Sequence, residues 1–412
     1  MLDQLEQRPM LLALLLGGIA AILFAIGLDR PGILTFDEVH YVKAARVLID
    51  LAHITNPEHP LLGKSLIALG MLILGDNPIG WRAMSVVAGS VTVVGLYAFT
   101  RQLTGATRAG LFAALFAMLG QMLFVQARIG MLDVFLGVFL VWAGVAFIAA
   151  MRAGPRSAWR WWMACAALFG CAVAVKWAAV PYVALAGALF LWLRRGDPAR
   201  FGAMGWPTGL AILGGVSIPV YFLSFAPAFF YTEQPMTLAR LIPFQIEMWQ
   251  LQTQVLPPHN YQSSWWSWPL MIRPIWYFYE PDQGAVRGVL LIANPVVQWG
   301  GLIAVAACWW AGFREKAPAP MAAAMLWVFA LGVWAIIPKS LGFFYYYYIP
   351  HLLLCVALAV ASDHWRARLD GKDEWLLVVA VGLFAYFYPI LAALPLSGDR
   401  GFERWVWFPS WA

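Results

Sequence analysis

Charge is scarce in this chain. Asp, Glu, Lys and Arg together make up 12% of its 412 residues, while 62% are hydrophobic. A soluble chain of this size could not hide so much apolar surface, so the composition excludes a soluble globular protein and points to a polytopic membrane protein. Cysteine is equally sparse. Cys165, Cys171, Cys308 and Cys355 all fall inside apolar runs, which leaves no disulfide framework and no C-x-x-C site. No sequence repeat, soluble domain or low-complexity tail is visible. The net charge of +6 is scattered through short connections, which argues against nucleic acid as a partner. The first apolar run ends in Asp29-Arg30-Pro31 rather than a small-residue cleavage site, and reads as an uncleaved anchor.

Apolar runs are what the chain has in abundance. A spanning helix needs ~20 apolar residues. Runs of that kind lie at 10–28, 80–103, 107–126, 132–151, 159–176, 178–194, 207–226, 286–311, 319–337, 343–362 and 375–394. The eleven predict an all-α polytopic membrane protein forming a single unit over 1–412. Residues 62–75 are too short to span and read as an interfacial or re-entrant helix. The fifth and sixth runs are divided only at Lys176-Trp177.

Orientation follows from the bases in short connections. Arg101 and Arg108, Arg152 to Arg160, Arg194 to Arg200, Arg314 with Lys316, and Arg366 to Lys372 share one side. The opposite short connections carry one base each, Arg128, Lys176 and Lys339. The richer side is expected to be cytoplasmic. The N-terminus then lies inside and the C-terminus outside, together with both long loops, about 29–79 and 227–285. The C-terminal membrane part runs over 286–412. The 23 Trp residues suit a large membrane interface.

The ionisable residues gather on the expected outer side. Asp37 and Glu38 stand where the first run leaves the membrane. They read either as the start of a helix, with Thr35 or Asp37 capping it, or as functional acids, because acids beside a bilayer are costly without a role. Glu58-His-Pro-Leu-Leu-Gly-Lys64 reads as a turn entering the short helix. Arg82, Arg128, Lys176 and Lys339 are isolated cations on one side, suited either to a lipid-phosphate site or to separate interface anchors. The stretch from His259 to Tyr279 is crowded with aromatics. It does not alternate like a strand and is too interrupted for a span. It would suit a structure lying on the membrane or walling a sugar site, and an aromatic belt without ligand is the plainer alternative.

The order of these pieces resembles bacterial members of the protein O-mannosyltransferase family, membrane glycosyltransferases of the GT-C type that use a polyprenyl-phosphate sugar. The residues carrying the resemblance are Phe36-Asp-Glu-Val-His-Tyr41, His59-Pro-Leu-Leu-Gly-Lys64, Arg128-Ile-Gly-Met-Leu-Asp133 and Val175-Lys-Trp177. They continue through Ser264-Trp-Trp-Ser-Trp-Pro269, Arg273-Pro274, Ala293-Asn-Pro295, the Tyr cluster before Pro350 and Trp405-Val-Trp407. The family commonly has His-Pro-Pro where this chain has His59-Pro60-Leu61, and an Arg where it offers Lys339. The resemblance implies eleven spans, an N-terminus inside, and the first acid of the pair acting at the acceptor hydroxyl.

Transfer from a polyprenyl phosphate needs one general base and positive charge for the departing phosphate, but no acid, because the leaving group departs as an anion. A single displacement inverts the sugar. Asp37 is therefore expected as base, with Glu38 in a second catalytic or orienting role. Arg128, Arg82, Lys339 and Lys176 are the donor-phosphate candidates. His59, Lys64, His259, Tyr261, Trp265, Trp266 and Arg273 are the sugar or acceptor candidates. A divalent metal ion is the cofactor the residues leave open: Asp37, His40, His59 and His259 are its candidate ligands, with Asp37 and His40 at i and i+3 able to share it, and the resemblance does not demand one. The expected function is inverting transfer of mannose to Ser or Thr of exported proteins at the outer face of the bacterial inner membrane. Transfer to a lipid or surface glycan is the alternative. A non-enzymatic transporter of lipid-linked sugars would need midplane ionisable groups and repeats, neither of which is seen.

Overall fold

A long apolar chain in a bilayer must pair its backbone internally, and helices do so within each segment. The computed structural model describes residues 8–398 and 400–412. In chain order its N-terminal half contains α1 (Pro9–Ala25), α2 (Glu38–Ile49), α3 (Leu62–Leu74), α4 (Pro78–Thr104), α5 (Thr107–Met118), α6 (Gln121–Gln126), α7 (Leu132–Arg152), α8 (Ala158–Val175), α9 (Val180–Gly196) and α10 (Trp206–Leu223). There follow α11 (Leu238–Thr253), strands β1 (Ile275–Asp282) and β2 (Ala285–Leu291), α12 (Gly301–Arg314), α13 (Pro318–Ile336), α14 (Tyr348–His364), α15 (Arg366–Leu369) and α16 (Glu374–Leu391). Among the described residues nine helices are long and apolar enough to cross a membrane. Two more of the eleven runs, α1 and the broken pair α5–α6, are helical but shorter.

Local chemistry explains several boundaries. The Asn77 side chain accepts the Ile79 and Gly80 amides, and Pro78 starts α4 where a missing N–H costs nothing. Gly105 ends it in the left-handed region, φ +81°. The division of the fifth and sixth runs falls at Lys176, whose extended backbone separates α8 from a short turn leading into α9. The 13 residues of α3 rise about 20 Å, too little to span.

The bundle packs around α14. In the segment from Phe344 to His364, 89% of the apolar window is buried, against 28% for α16, which faces outward. Membrane helices gain little from apolar burial against each other, so close approach through small residues matters. A Cβ on Gly137 of α7 would stand 2.5 Å from the Tyr348 ring, so glycine lets α7 meet α14.

Two runs depart from the simple reading. The helix over 107–126 breaks at Leu119-Gly120, and Asn294 Nδ2 donates to the freed Leu119 carbonyl. The run 286–311 is not helical at its start, because residues 285–291 form β2, paired antiparallel with β1. Val289, Leu290 and Leu291 are all buried, so the strand reads as a continuous apolar run like a helix. The Gln283-Gly284 turn, both residues at positive φ, closes the hairpin. The aromatic stretch therefore does contain a strand. Its alternation is hidden by a bulge at Tyr277 and by burial of Ile275 to Phe278 without a break.

The two long connections meet at one end of the bundle. The Thr232 and Glu233 amides donate to Leu51 and Ala52 carbonyls at 2.8 and 2.9 Å. Gln252 donates to the Glu58 carbonyl at 2.7 Å, and the Gly32 amide to Asp282 at 3.0 Å. These bonds join segments that are far apart in sequence into one platform.

Candidate active site

Asp37 stands at the N-cap position of α2, yet its side chain caps nothing. The capping option is not used. Its carboxylate instead lines a cavity of about 290 Å³ with His40, Tyr41, Asn56, Glu58, His59, Gln252, Gln254, Lys339, Ser340, Tyr345 and Tyr346. The Tyr41 hydroxyl donates to Asp37 Oδ2 at 3.5 Å. Burial raises the Asp37 carboxyl above its ordinary range, against the lowering influence of Lys176 and His40. A partly desolvated carboxylate with a raised pKa is suited to take a proton.

Glu38, one residue on, lies outside that cavity and is bound by protein groups. It is fully buried, and Arg82 grips both its oxygens, Nε to Oε1 at 2.8 Å and Nη2 to Oε2 at 2.9 Å. The Gly130 amide donates to it at 2.7 Å, and the Thr35 amide and hydroxyl at 2.9 and 3.0 Å. Burial opposes its charge, but Arg82 and these amides outweigh burial and hold its pKa below the usual value. Glu38 is a structural clasp on the loop that carries Asp37.

Arg82, a phosphate candidate in the sequence, is correspondingly occupied. Besides Glu38, its guanidinium donates to the carbonyls of Leu28, Pro31 and Ile33, and no face of it is exposed. Arg128 is likewise a correction. It donates to the carbonyls of Phe24, Ile26 and Gly27 at 2.6–2.8 Å, closing the C-terminal end of α1, and lies over the Phe124 ring. Nor does it pair with Asp133, which is bound by Lys176 Nζ at 2.8 Å. Lys176 also lies 5.4 Å from the Tyr345 ring centroid, at the cavity wall. Of the four cations only Lys339 lines the cavity, and among the described residues its ammonium makes no hydrogen bond or ion pair. Burial, with Lys176 nearby, lowers its pKa to about 8.

The sugar and acceptor candidates divide in the same way. Lys64 donates to the carbonyls of Thr55, Asn56 and His59, and so ties the loop to the start of α3. Arg273 is held by the carbonyls of Asn260, Ser410 and Ala412, with Tyr261 against its face. His59 lines the cavity, its ring near Tyr41, and burial with the surrounding lysines keeps it neutral. His259 is exposed and does not itself line the cavity, but its ring packs edge-on against Phe343, which does. Trp265 and Trp266 line a second cavity of about 240 Å³ with Trp268 and Trp334, which shares Lys339, Ser340 and Tyr346 with the first. Asp37, His40 and His59 share a cavity, yet among the described residues no three His, Cys, Asp or Glu groups converge to hold a metal ion.

Several wall residues escaped the sequence reading. Leu251, Gln252 and Gln254 come from α11 and its exit. The signal for that helix was present in Thr237, which caps it by accepting the Arg240 amide, followed by an amphipathic stretch.

Two family signatures cover most of the chain. Residues 58–221 match dolichyl-phosphate-mannose-protein mannosyltransferase, and residues 237–411 match the C-terminal four-transmembrane region of protein O-mannosyltransferase. The polyprenol-phosphate-mannose–protein mannosyltransferase of Corynebacterium glutamicum is 27% identical over 91% of this chain and 88% of its own length. The protein of the same description from Mycobacterium tuberculosis is 28% identical over 93% and 88%. Among solved structures, the Saccharomyces cerevisiae protein O-mannosyltransferase Pmt1–Pmt2 complex bound to the sugar donor aligns with a TM-score of 0.81 at 14% identity, covering 98% of this chain and 93% of that one. ArnT from Cupriavidus metallidurans bound to undecaprenyl phosphate aligns at 0.61 and 19% identity, covering 91% and 64%.

Proposed function

The chain belongs to the protein O-mannosyltransferase family, and on that footing we propose that its cavity transfers mannose from a polyprenyl-phosphate-mannose to Ser or Thr hydroxyls of protein acceptors, with Asp37 as base. The observation carrying this reading is the Asp37 carboxylate, which caps no helix, in a cavity whose wall also bears Lys339, an ammonium with no hydrogen-bond or ion-pair partner among the described residues. The acceptor oxygen attacks the anomeric carbon from the face opposite the phosphate. The carbon–oxygen bond to phosphate breaks, its electron pair leaves with the phosphate, and the hydroxyl proton passes to Asp37. Configuration at carbon inverts. Lys339 stabilises the departing charge, while Lys176, neutralised in part by Asp133, adds positive potential from the wall. His59 and the Trp265–Trp266 cavity are assigned to sugar and acceptor.

The cavity opens at the end of the bundle where both long connections meet. The distribution of Lys and Arg in the short connections supports placing that end outside the cytoplasmic membrane, with the N-terminus in the cytoplasm. Mass spectrometry of secreted proteins with and without the gene tests the function. Hexose lost from Ser/Thr peptides is the expected result. An unchanged secretome with altered glycolipid would reassign the acceptor to a lipid or surface glycan.

Lys339 provides a second expectation. Lys339→Ala should raise the donor KM about 10- to 100-fold, the scale of one charge-assisted phosphate contact of ~1.5–3 kcal/mol, and Lys339→Arg should restore most of it. As the lysine loses its proton above about pH 8, the wild-type donor KM should climb with pH, and that slope should disappear in Lys339→Arg. A pH-independent wild-type KM, or an unaffected alanine variant, would remove Lys339 from the phosphate site.

A further inference from the structure

We infer that Tyr277 is a positioning residue for Asp37: the bulge in β1 turns its ring onto Phe36 and so fixes where the neighbouring carboxylate stands. The inference rests on the transfer reaction proposed for Asp37.

Phe36 has φ +45°, a left-handed conformation that a bulky residue holds only when its surroundings over-determine it. Two rings do so. Tyr277 stacks on Phe36 with centroids 4.7 Å apart and planes 13° from parallel, and Tyr345 meets it edge-on at 5.8 Å. Tyr277 owes its aim to the hairpin. Trp276 stands opposite Leu290 and Phe278 opposite Val289, leaving Tyr277 as the extra residue of the bulge. Bulges characteristically redirect one side chain out of the pleat. Its hydroxyl accepts from Gln126 Nε2 at 3.2 Å, and Gln126 is fully buried on α6.

Asp37 therefore lies between two held neighbours. Phe36 is fixed by aromatic packing from the second long connection, and Glu38 by the Arg82 clasp. Neither Tyr277 nor Phe36 lines either cavity, so Tyr277 acts through Asp37 rather than on substrate.

The test uses the full-length protein in lipid nanodiscs with polyprenyl-phosphate-mannose and an acceptor peptide. Misplacing a reacting group by about 1 Å can cost on the order of 100-fold, so Tyr277→Leu should lower kcat roughly 10- to 100-fold with the donor KM little changed. Tyr277→Phe keeps the stack and should retain most of kcat. In an Asp37→Asn background Tyr277→Leu should lower the residual rate no further. An equal loss in both backgrounds, or a rise in KM at constant kcat, would overturn the inference and make Tyr277 general support for the cavity. If Tyr277→Leu does not melt like a folded protein, Phe36→Leu removes the same stack from its other side. A second readout does not depend on catalysis: the reaction rate of an Asp37→Cys variant with a small methanethiosulfonate. That rate should shift when Tyr277→Leu is added and stay put with Tyr277→Phe. An unchanged rate in both would sink the inference. Absence of mannose transfer by the wild-type protein would instead sink the transfer reading, with the thiol rates still deciding the role of Tyr277.

Discussion

Asp37→Asn is expected to lower sugar transfer by ~100- to 10,000-fold while the donor still binds. The loss corresponds to ~3–5 kcal/mol in the barrier. The amide keeps the size of the carboxyl and can still accept from Tyr41, but it cannot take the hydroxyl proton. Lys339 is untouched, and one negative neighbour of the donor phosphate has gone. The raised pKa adds a signature in pH. Because burial favours the protonated acid, the wild-type rate should fall on acidification through an ionisation above the ordinary carboxylate range. The residual rate of Asp37→Asn should lack that limb. Donor binding and transfer need to be measured separately on purified protein. Near-normal transfer would remove Asp37 as the base, and loss of binding in step with transfer would point to a structural or metal-ligand role.

The second large effect is one of stability. Arg82→Ala strands Glu38 in a fully buried site with its main counter-charge removed. Breaking one partner of such a pair typically costs ~3–5 kcal/mol. The variant should therefore melt well below the wild type and lose activity with the folded fraction. Glu38→Gln leaves Arg82 uncompensated in the same way and should also destabilise. Replacing both, as Glu38→Gln with Arg82→Met, should cost less than the sum of the two single changes, because no buried charge is left alone. Thermal melting in detergent or nanodiscs gives the answer. A wild-type melting temperature for Arg82→Ala, coupled to a loss of donor affinity, would return Arg82 to the phosphate site.

The two outcomes separate neighbouring acids that look alike in sequence. Asp37 and Glu38 differ by one position along α2, and adjacent residues on a helix do not share a face. That geometry alone implies different roles. Which acid faced the cavity and which the protein was decided by partners distant in sequence, above all Arg82 and Gly130. The same holds for the cations. Sequence reasoning treated Arg128, Arg82, Lys176 and Lys339 as one class because each is isolated between apolar runs. Three of them meet carbonyls or carboxylates brought in by other helices, and only Lys339 is left unspoken for among the described residues.

The succession of membrane helices was legible in the sequence alone because a bilayer demands long apolar segments and closes each one's backbone hydrogen bonds within itself. The break at Lys176 and the shortness of α3 came from the same local information. Tertiary structure decided what local pattern cannot carry. The strand β2 was indistinguishable from helix while its pairing with β1 was unknown, since burial on both faces erases the period of two. The bulge at Tyr277 hid the alternation of β1. Whether an ionisable side chain is available to a ligand depends on whether the folded protein has already satisfied its charge and hydrogen bonds, and those partners come from segments that only the fold brings together.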